Sequence, residues 1–253
     1  GWGPSNSTPP NSGDDSSSDA NSGAPTVVSQ EAVDEALAAA ESAGLPDASG
    51  DAAQTLIFSG ASFTTMTEAE ELFKFMMEDL SGGSIKIDWH PYNELGDDLN
   101  VISNVQFGEI DIGLTSPAPV TTMLPNMSIF DTLYMINDQE TAYEVMDGEI
   151  GQQIDKDVEA LGMKVIMWCE NGFRNLTCNV EVTGLDSLKG LKIRTMENSL
   201  QMDAWKALGA NPTPMNFGEV YTALQQGTID GCDNCVKTAV SELEDLGFTP
   251  EVR

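Results

Sequence analysis

Positive charge is what this sequence has least of. Its 253 residues carry 11 Lys and Arg against 41 Asp and Glu, a formal net charge of −30. Nucleic acid demands a basic face, as does an anionic membrane surface, so neither is expected as a partner; the plain reading of the acidity is solubility. Histidine is represented by His90 alone, which leaves a histidine-based metal site or triad without a second member. No apolar run approaches the roughly 20 residues needed to cross a bilayer. G-x-S-x-G, phosphate-loop and H-E-x-x-H patterns are all missing. We therefore expect no catalytic residue, no cofactor and no metal. The chain shows neither an initiating Met nor a leader, which reads as a processed or trimmed form.

What is present suits a globular protein, with 40% apolar residues and enough length for one large domain or two lobes. Residues 1–26 are Ser, Asn, Gly, Pro and Asp with almost nothing to bury, the composition of a flexible linker. Such a linker fits a tether from a lipidated cysteine that this chain does not itself contain. Residues 29–43 read as a short helix capped by Ser29, with Val33, Leu37 and Ala40 on one face and Gly44-Leu45-Pro46 as its stop. No role follows for it, and residues 1–50 are assigned as linker plus helix.

The body then alternates strands with helices. Strands are expected at 55–59, 85–89, 110–114 and, as a buried apolar run, 163–168. Thr67-Glu68-Ala69-Glu70 reads as a capping box opening a helix whose Leu72, Phe73, Met76, Met77 and Leu80 face a core. Asp97 or Asp98 starts a further helix that ends at Gly108, and 138–146 and 149–161 are helical. Asn171-Gly172 is a tight-turn signal that delivers Arg174. This alternation means an α/β fold with largely parallel sheets. Ser62, Thr115 and Ser116, each placed just after a strand, are cleft candidates by position.

The densest pattern lies at 187–234. It predicts a strand at 191–195, a helix from the Asn198 cap to Leu208 with Gly209 at its end, and an extended 211–215 held by Pro212 and Pro214. A second helix follows at 218–226, then a strand from 228. Arg194 falls near the carboxyl end of a strand, where open α/β sheets bind ligands. Only three arginines exist, one of them the terminal Arg253. Arg174 and Arg194 share the one relatively basic region with Lys164, Lys189 and Lys192. A helix ending at Gly before x-Ile-Asp occurs twice, at 105–111 and 224–230, an echo that supports two lobes.

IRTMEN, GANPTPMNFGEVYTALQQG and IDGCDN resemble the signature of substrate-binding proteins of TRAP (tripartite ATP-independent periplasmic) transporters, the dicarboxylate-binding-protein family. Weaker matches are ELGDD (94–98), FGEIDIGLTS (107–116), DGEIG (147–151) and ENGFR (170–174). The resemblance implies a two-lobed periplasmic-binding-protein-like α/β fold with mixed, mostly parallel sheets, lobes at 51–172 and 173–253, and no enzyme activity. It implies an extracytoplasmic protein, periplasmic or lipid-anchored, that captures a small organic carboxylate for membrane permease subunits. By motif, Arg194 becomes the carboxylate clamp, Arg174 and Asn234 supporting donors, Phe217 an aromatic wall, and Thr115 a further contact. Two departures stand out: Phe130-Asp131-Thr132-Leu133 replaces a habitual proline, and the chain stops at Arg253 after one helical stretch at 238–246, as if truncated or a shortened relative. A ligand-sensing module of the same fold is an alternative that the sequence does not separate from a transport protein.

Four cysteines complete the picture. Cys232-x-x-Cys235 brackets Asn234, and Cys169 and Cys178 flank the Arg174 turn. An extracytoplasmic chain with an even number of cysteines is expected to form disulfides, with three connectivities open. A Cys232/Cys235 redox pair would instead make the chain a thiol-disulfide oxidoreductase.

Overall fold

The computed structural model describes residues 28–44, 53–61 and 64–235. The expected linker at 1–26, the cleft candidate Ser62 and the helix expected at 238–246 lie outside the described residues. Among the described residues there are two sheets, each the product of the expected alternation. The first has strand order β2-β1-β3, built from β1 (Gln54–Ser59), β2 (Ile85–His90) and the short β3 (Ile112–Gly113), all parallel. In the second, β4 (Arg174–Cys178), β5 (Lys192–Thr195), β6 (Asn211–Pro214) and β7 (Gly231–Cys235) lie in the order β4-β7-β5-β6. There β5 runs parallel to β6 and β7, and β4 alone runs antiparallel, which makes the sheet mixed.

Helices join the strands and bring their N-termini to the strands' carboxyl ends. In the first half these are α1 (Gln30–Ser42), α2 (Thr67–Leu80), α3 (Asp98–Phe107), α4 (Pro117–Val120), α5 (Gln139–Asp147) and α6 (Glu149–Glu159). In the second they are α7 (Ser199–Ala207) and α8 (Phe217–Gln225). Their boundaries follow local chemistry. Asp97 caps α3 by accepting from the Asn100 N–H, and Asn198 caps α7 by accepting from that of Gln201. Gly108 ends α3 in the left-handed region at φ 78°, a conformation a side chain would strain. One core joins Phe58, Ile87 and Trp89 of the first sheet, and another joins Val220, Ala223, Leu224 and Ile229 with Cys232 under the second. A third, from Val120 through Met163, packs α6 against the segment after α4.

Four local expectations need correction. Thr67 is the first residue of α2 rather than its cap, and Glu70 turns inward instead of back to the helix start. Its carboxylate accepts from the Ala61 N–H at 2.7 Å and Trp89 Nε1 at 2.9 Å. Both donors are buried, and leaving either unmatched would cost its full desolvation. Residues 163–168 form no strand: Met163 is buried and Val165 and Trp168 pack on the third core, but Ile166 and Met167 are more than half exposed. An apolar run becomes a strand only where a neighbouring strand pairs with it. The last strand begins at Gly231, not 228, and α8 begins one residue early, at Phe217. Helix α1, for which no role was assigned, packs on α2, where the Val28 N–H donates to Glu71.

The two halves touch through α7. The Asn198 amide donates to the Ala118 carbonyl, to Thr121 Oγ1 and to Asp131 Oδ2, while Gln201 Nε2 donates to Asp131 Oδ1. Asp131 closes a 3-10 helix at Pro125–Asp131, the segment that departs from family habit.

Candidate functional site

A cleft opens where the carboxyl ends of strands from both sheets meet. The turn after β2 holds Tyr92 and Asn93 at positive φ, 56° and 59°, and so brings Asn93 to the rim. Asp97 and Asp98 enter from the start of α3, and Pro119 from α4. The second half supplies Arg194 at the end of β5, Met196 and Glu197 from the turn after it, and Asn216 and Phe217 from the start of α8. The empty volume is about 250 Å³ counting the mouth, and the enclosed part holds about 10 Å³, room for one water.

Arg194 is 3% exposed and forms no ion pair among the described residues. Its Nε and Nη2 both donate to the Met215 carbonyl, at 3.0 and 2.8 Å, and its guanidinium lies 5.8 Å from the centre of the Phe217 ring. Burial, then the neighbouring Arg174 charge, push its pKa down to about 10. A desolvated cation held this way is stabilised by whatever anion enters the cleft.

Arg174 stands behind it. Its Nη2 donates to the Asp233 carboxylate at 2.8 Å and also to the Asp233 carbonyl. Trp205 Nε1 donates to the second carboxylate oxygen at 3.0 Å. Burial opposes the charge on Arg174, but the carboxylates of Asp233 and Asp131 together outweigh it and raise its pKa. Asp131 is itself raised, chiefly by burial, with the Gln201 hydrogen bond and Arg174 acting against. Arg174 is thus a paired cation and Arg194 an unpaired one, a distinction the sequence did not contain.

Of the residues singled out from sequence, Arg194 and Phe217 come together on the cleft. Phe217 lines the cleft and also packs against the core under α8. Asn234 is buried on β7 opposite Asn175, and Thr115 sits beside Ser116; neither lines the cleft. Residues that sequence reasoning missed as lining are Asn93, Asp97, Asp98, Pro119, Met196, Glu197 and Asn216. The ELGDD and IRTMEN motifs contain four of them, but in the sequence Asp97 and Asp98 signal only a helix start. Asp98 receives the backbone N–H and hydroxyl of Ser116, yet burial outweighs both and pushes its pKa up to about 6.

Among the described residues, Cys169, Cys178 and Cys232 are free thiols, against the expectation of disulfides. Cys232 is fully buried, and burial pushes its pKa up to about 11. A redox thiol needs an accessible sulfur with a depressed pKa, so Cys232 does not suit the oxidoreductase alternative.

A cleft lined from both α/β halves, with a buried arginine that forms no ion pair among the described residues, has the architecture of a solute-binding protein. Residues 58–242 match the family described as bacterial extracellular solute-binding protein, family 7 (DctP), and the chain belongs to that family. The family is extracytoplasmic and acts in transport by binding solute. The chain is 33% identical to the 2,3-diketo-L-gulonate-binding periplasmic protein of Escherichia coli, over 75% of this chain and 59% of that protein. It superposes with a TM-score of 0.74, at 30% identity, on the sugar acid binding protein of Advenella mimigardefordensis in complex with galactonate, covering 77% of this chain and 64% of that one. A TRAP periplasmic solute-binding protein from a Polaromonas species, bound to D-erythronate, gives 0.70 at 35% identity, covering 74% and 63%. The chain spans about half the length of the curated relatives it matches.

Proposed function

We propose that this chain captures a small organic carboxylate outside the cytoplasm and presents it to the membrane permease subunits of a TRAP transporter. It binds and releases its solute and carries out no chemistry on it. The observation that carries the reading is Arg194, buried at the carboxyl end of β5, unpaired, and facing a cleft. Its planar fork suits a carboxylate's two oxygens. Arg174 supports it from behind, held in place by Asp233, and Phe217 forms the wall. Asn234 and Thr115 reach the solute only if the cleft rearranges around it. The two lobes, at 51–172 and 173–253, close on the ligand between them. The relatives' own ligands, a diketogulonate, galactonate and erythronate, support a carboxylate here.

The test is a thermal-shift screen of small carboxylates followed by calorimetry. A true ligand at a hundred times its Kd stabilises the fold by about 2.7 kcal/mol. Each hit is repeated with its uncharged amide, which should give no shift. If no carboxylate moves the melting temperature, or if amides act equally well, the reading fails.

A further inference from the structure

Both ends of the Gln201 amide are engaged. Its Nε2 donates to Asp131 Oδ1 at 2.5 Å, and its Oε1 accepts the Met196 backbone N–H at 3.2 Å. Asp131 belongs to the first half, 70 residues from Gln201 along the chain. Met196 belongs to the second and lines the cleft beside Glu197 and Arg194. Building on the carboxylate reading above, we propose that Asp131 is a positioning residue for the solute site: through Gln201 it holds the Met196-Glu197 turn, so the first half completes the cleft wall of the second.

The relay follows from what each group can do. The β5–β6 ladder ends with Thr195 opposite Pro214, so Met196 is the first residue past the paired strand, and its N–H takes its acceptor from a side chain. An ionised carboxylate only accepts and a backbone N–H only donates, so a single orientation of the Gln201 amide serves both. Gln201 is buried, which keeps water from competing at either end. Asp131 is steadied in turn by Asn198, whose Nδ2 donates to Oδ2 at 3.1 Å and whose Oδ1 accepts the Gln201 N–H at 3.0 Å. The cap and the first turn of α7 thus grip both oxygens of one carboxylate from the other half. Arg174 Nη1 lies 3.9 Å from Met196 Sδ, so the same turn also touches the paired arginine. Asp131 is not among the lining residues, and its effect on a solute must pass through the turn. Without Asp131, Gln201 loses the charge that aims its amide, and the Met196 N–H loses a fixed acceptor.

Exchanging donor and acceptor isolates the relay. Gln201→Glu keeps an acceptor for the Met196 N–H but sets two carboxylates against each other. Asp131→Asn combined with Gln201→Glu restores a donor–acceptor pair in the opposite sense and keeps an oxygen for Asn198. Two measurements are made on the full chain at pH 7.5: residue-resolved hydrogen exchange at the Met196 amide without solute, and calorimetric titration of D-galactonate and D-erythronate. Asp131→Ala and Gln201→Glu should each speed Met196 exchange and weaken binding by about ten-fold, the effect of one buried hydrogen bond, while the Val220 amide exchanges as in the parent. The double variant should return both readings to within a few-fold of the parent. If Asp131→Ala melts early, Gln201→Glu and the double variant decide. Met196 exchange at the parent's rate in the single variants overturns the relay, as does a double variant no better than Gln201→Glu. Faster exchange with unchanged affinity overturns the positioning role. A parent that binds neither probe, nor any carboxylate of the screen, instead contradicts the carboxylate reading, and the positioning role falls with it.

Discussion

The guanidinium of Arg194 lies 5.8 Å from the centre of the Phe217 ring, and the same arginine bonds twice to the carbonyl of Met215. These contacts come from one short segment spanning the end of β6 and the start of α8, so the stretch that carries the aromatic ring also orients the guanidinium. The fork is held and desolvated, and it forms no ion pair among the described residues.

Asp98 ties the site to stability. Its pKa rises from 3.8 unfolded to about 6 folded, so the folded state prefers its protonated form. Its contribution is full below the unfolded value and is lost as pH rises through about 6. Asp98→Asn should therefore stabilise the ligand-free protein by about 2–3 kcal/mol at pH 7.5 and by almost nothing at pH 4. Urea unfolding at the two pH values decides it. A variant less stable than the parent at pH 7.5 would show that the Ser116 bonds outweigh the burial.

How much of this was readable beforehand depends on how local the cause is. The Asp97 and Asn198 caps and the turn at Gly108 are decided by a few adjacent atoms, and the sequence showed them. Arg194 was legible because arginine is so scarce and its strand end so well marked. Glu70 was misread because its partners, Ala61 and Trp89, are nine and nineteen residues away. The run at 163–168 looked like a strand because apolarity is visible in a sequence and a pairing edge is not. Asp98 looked like a cap because its second role, facing Arg194, exists only once two sheets meet.

Asn198 is the test of how the halves hold together. It caps α7 and donates to Asp131, Ala118 and Thr121 across the boundary. Asn198→Ala should cost about 2–3 kcal/mol, from a lost cap and buried acceptors left unmatched. Asn198→Asp keeps the cap but sets a carboxylate against Asp131, so it too should destabilise. If the Asn198→Asp variant unfolds at the parent's urea midpoint, the residue is a cap and nothing more.

Cys232 should behave as a buried apolar group. Cys232 is fully enclosed with its pKa at about 11, whereas Cys169 and Cys178 are partly exposed. Native alkylation with a maleimide at pH 7.5, read by peptide mass, should label Cys178 well before Cys232. Earlier labelling of Cys232 would reopen the redox reading.

The central claim is that Arg194 is a two-pronged carboxylate anchor, and Arg194→Lys tests it most directly. Lysine keeps the charge but loses the planar fork. The measurement is calorimetric titration of the best carboxylate from the screen into parent, Arg194→Lys and Arg194→Ala, each first shown to be folded. Arg194→Ala should lose about 3–5 kcal/mol, on the order of a hundred- to a few-thousand-fold in affinity, and Arg194→Lys should recover little of it. Lysine binding within a few-fold of the parent would contradict the account, because a point charge would then suffice and the arginine's geometry would not be what holds the ligand.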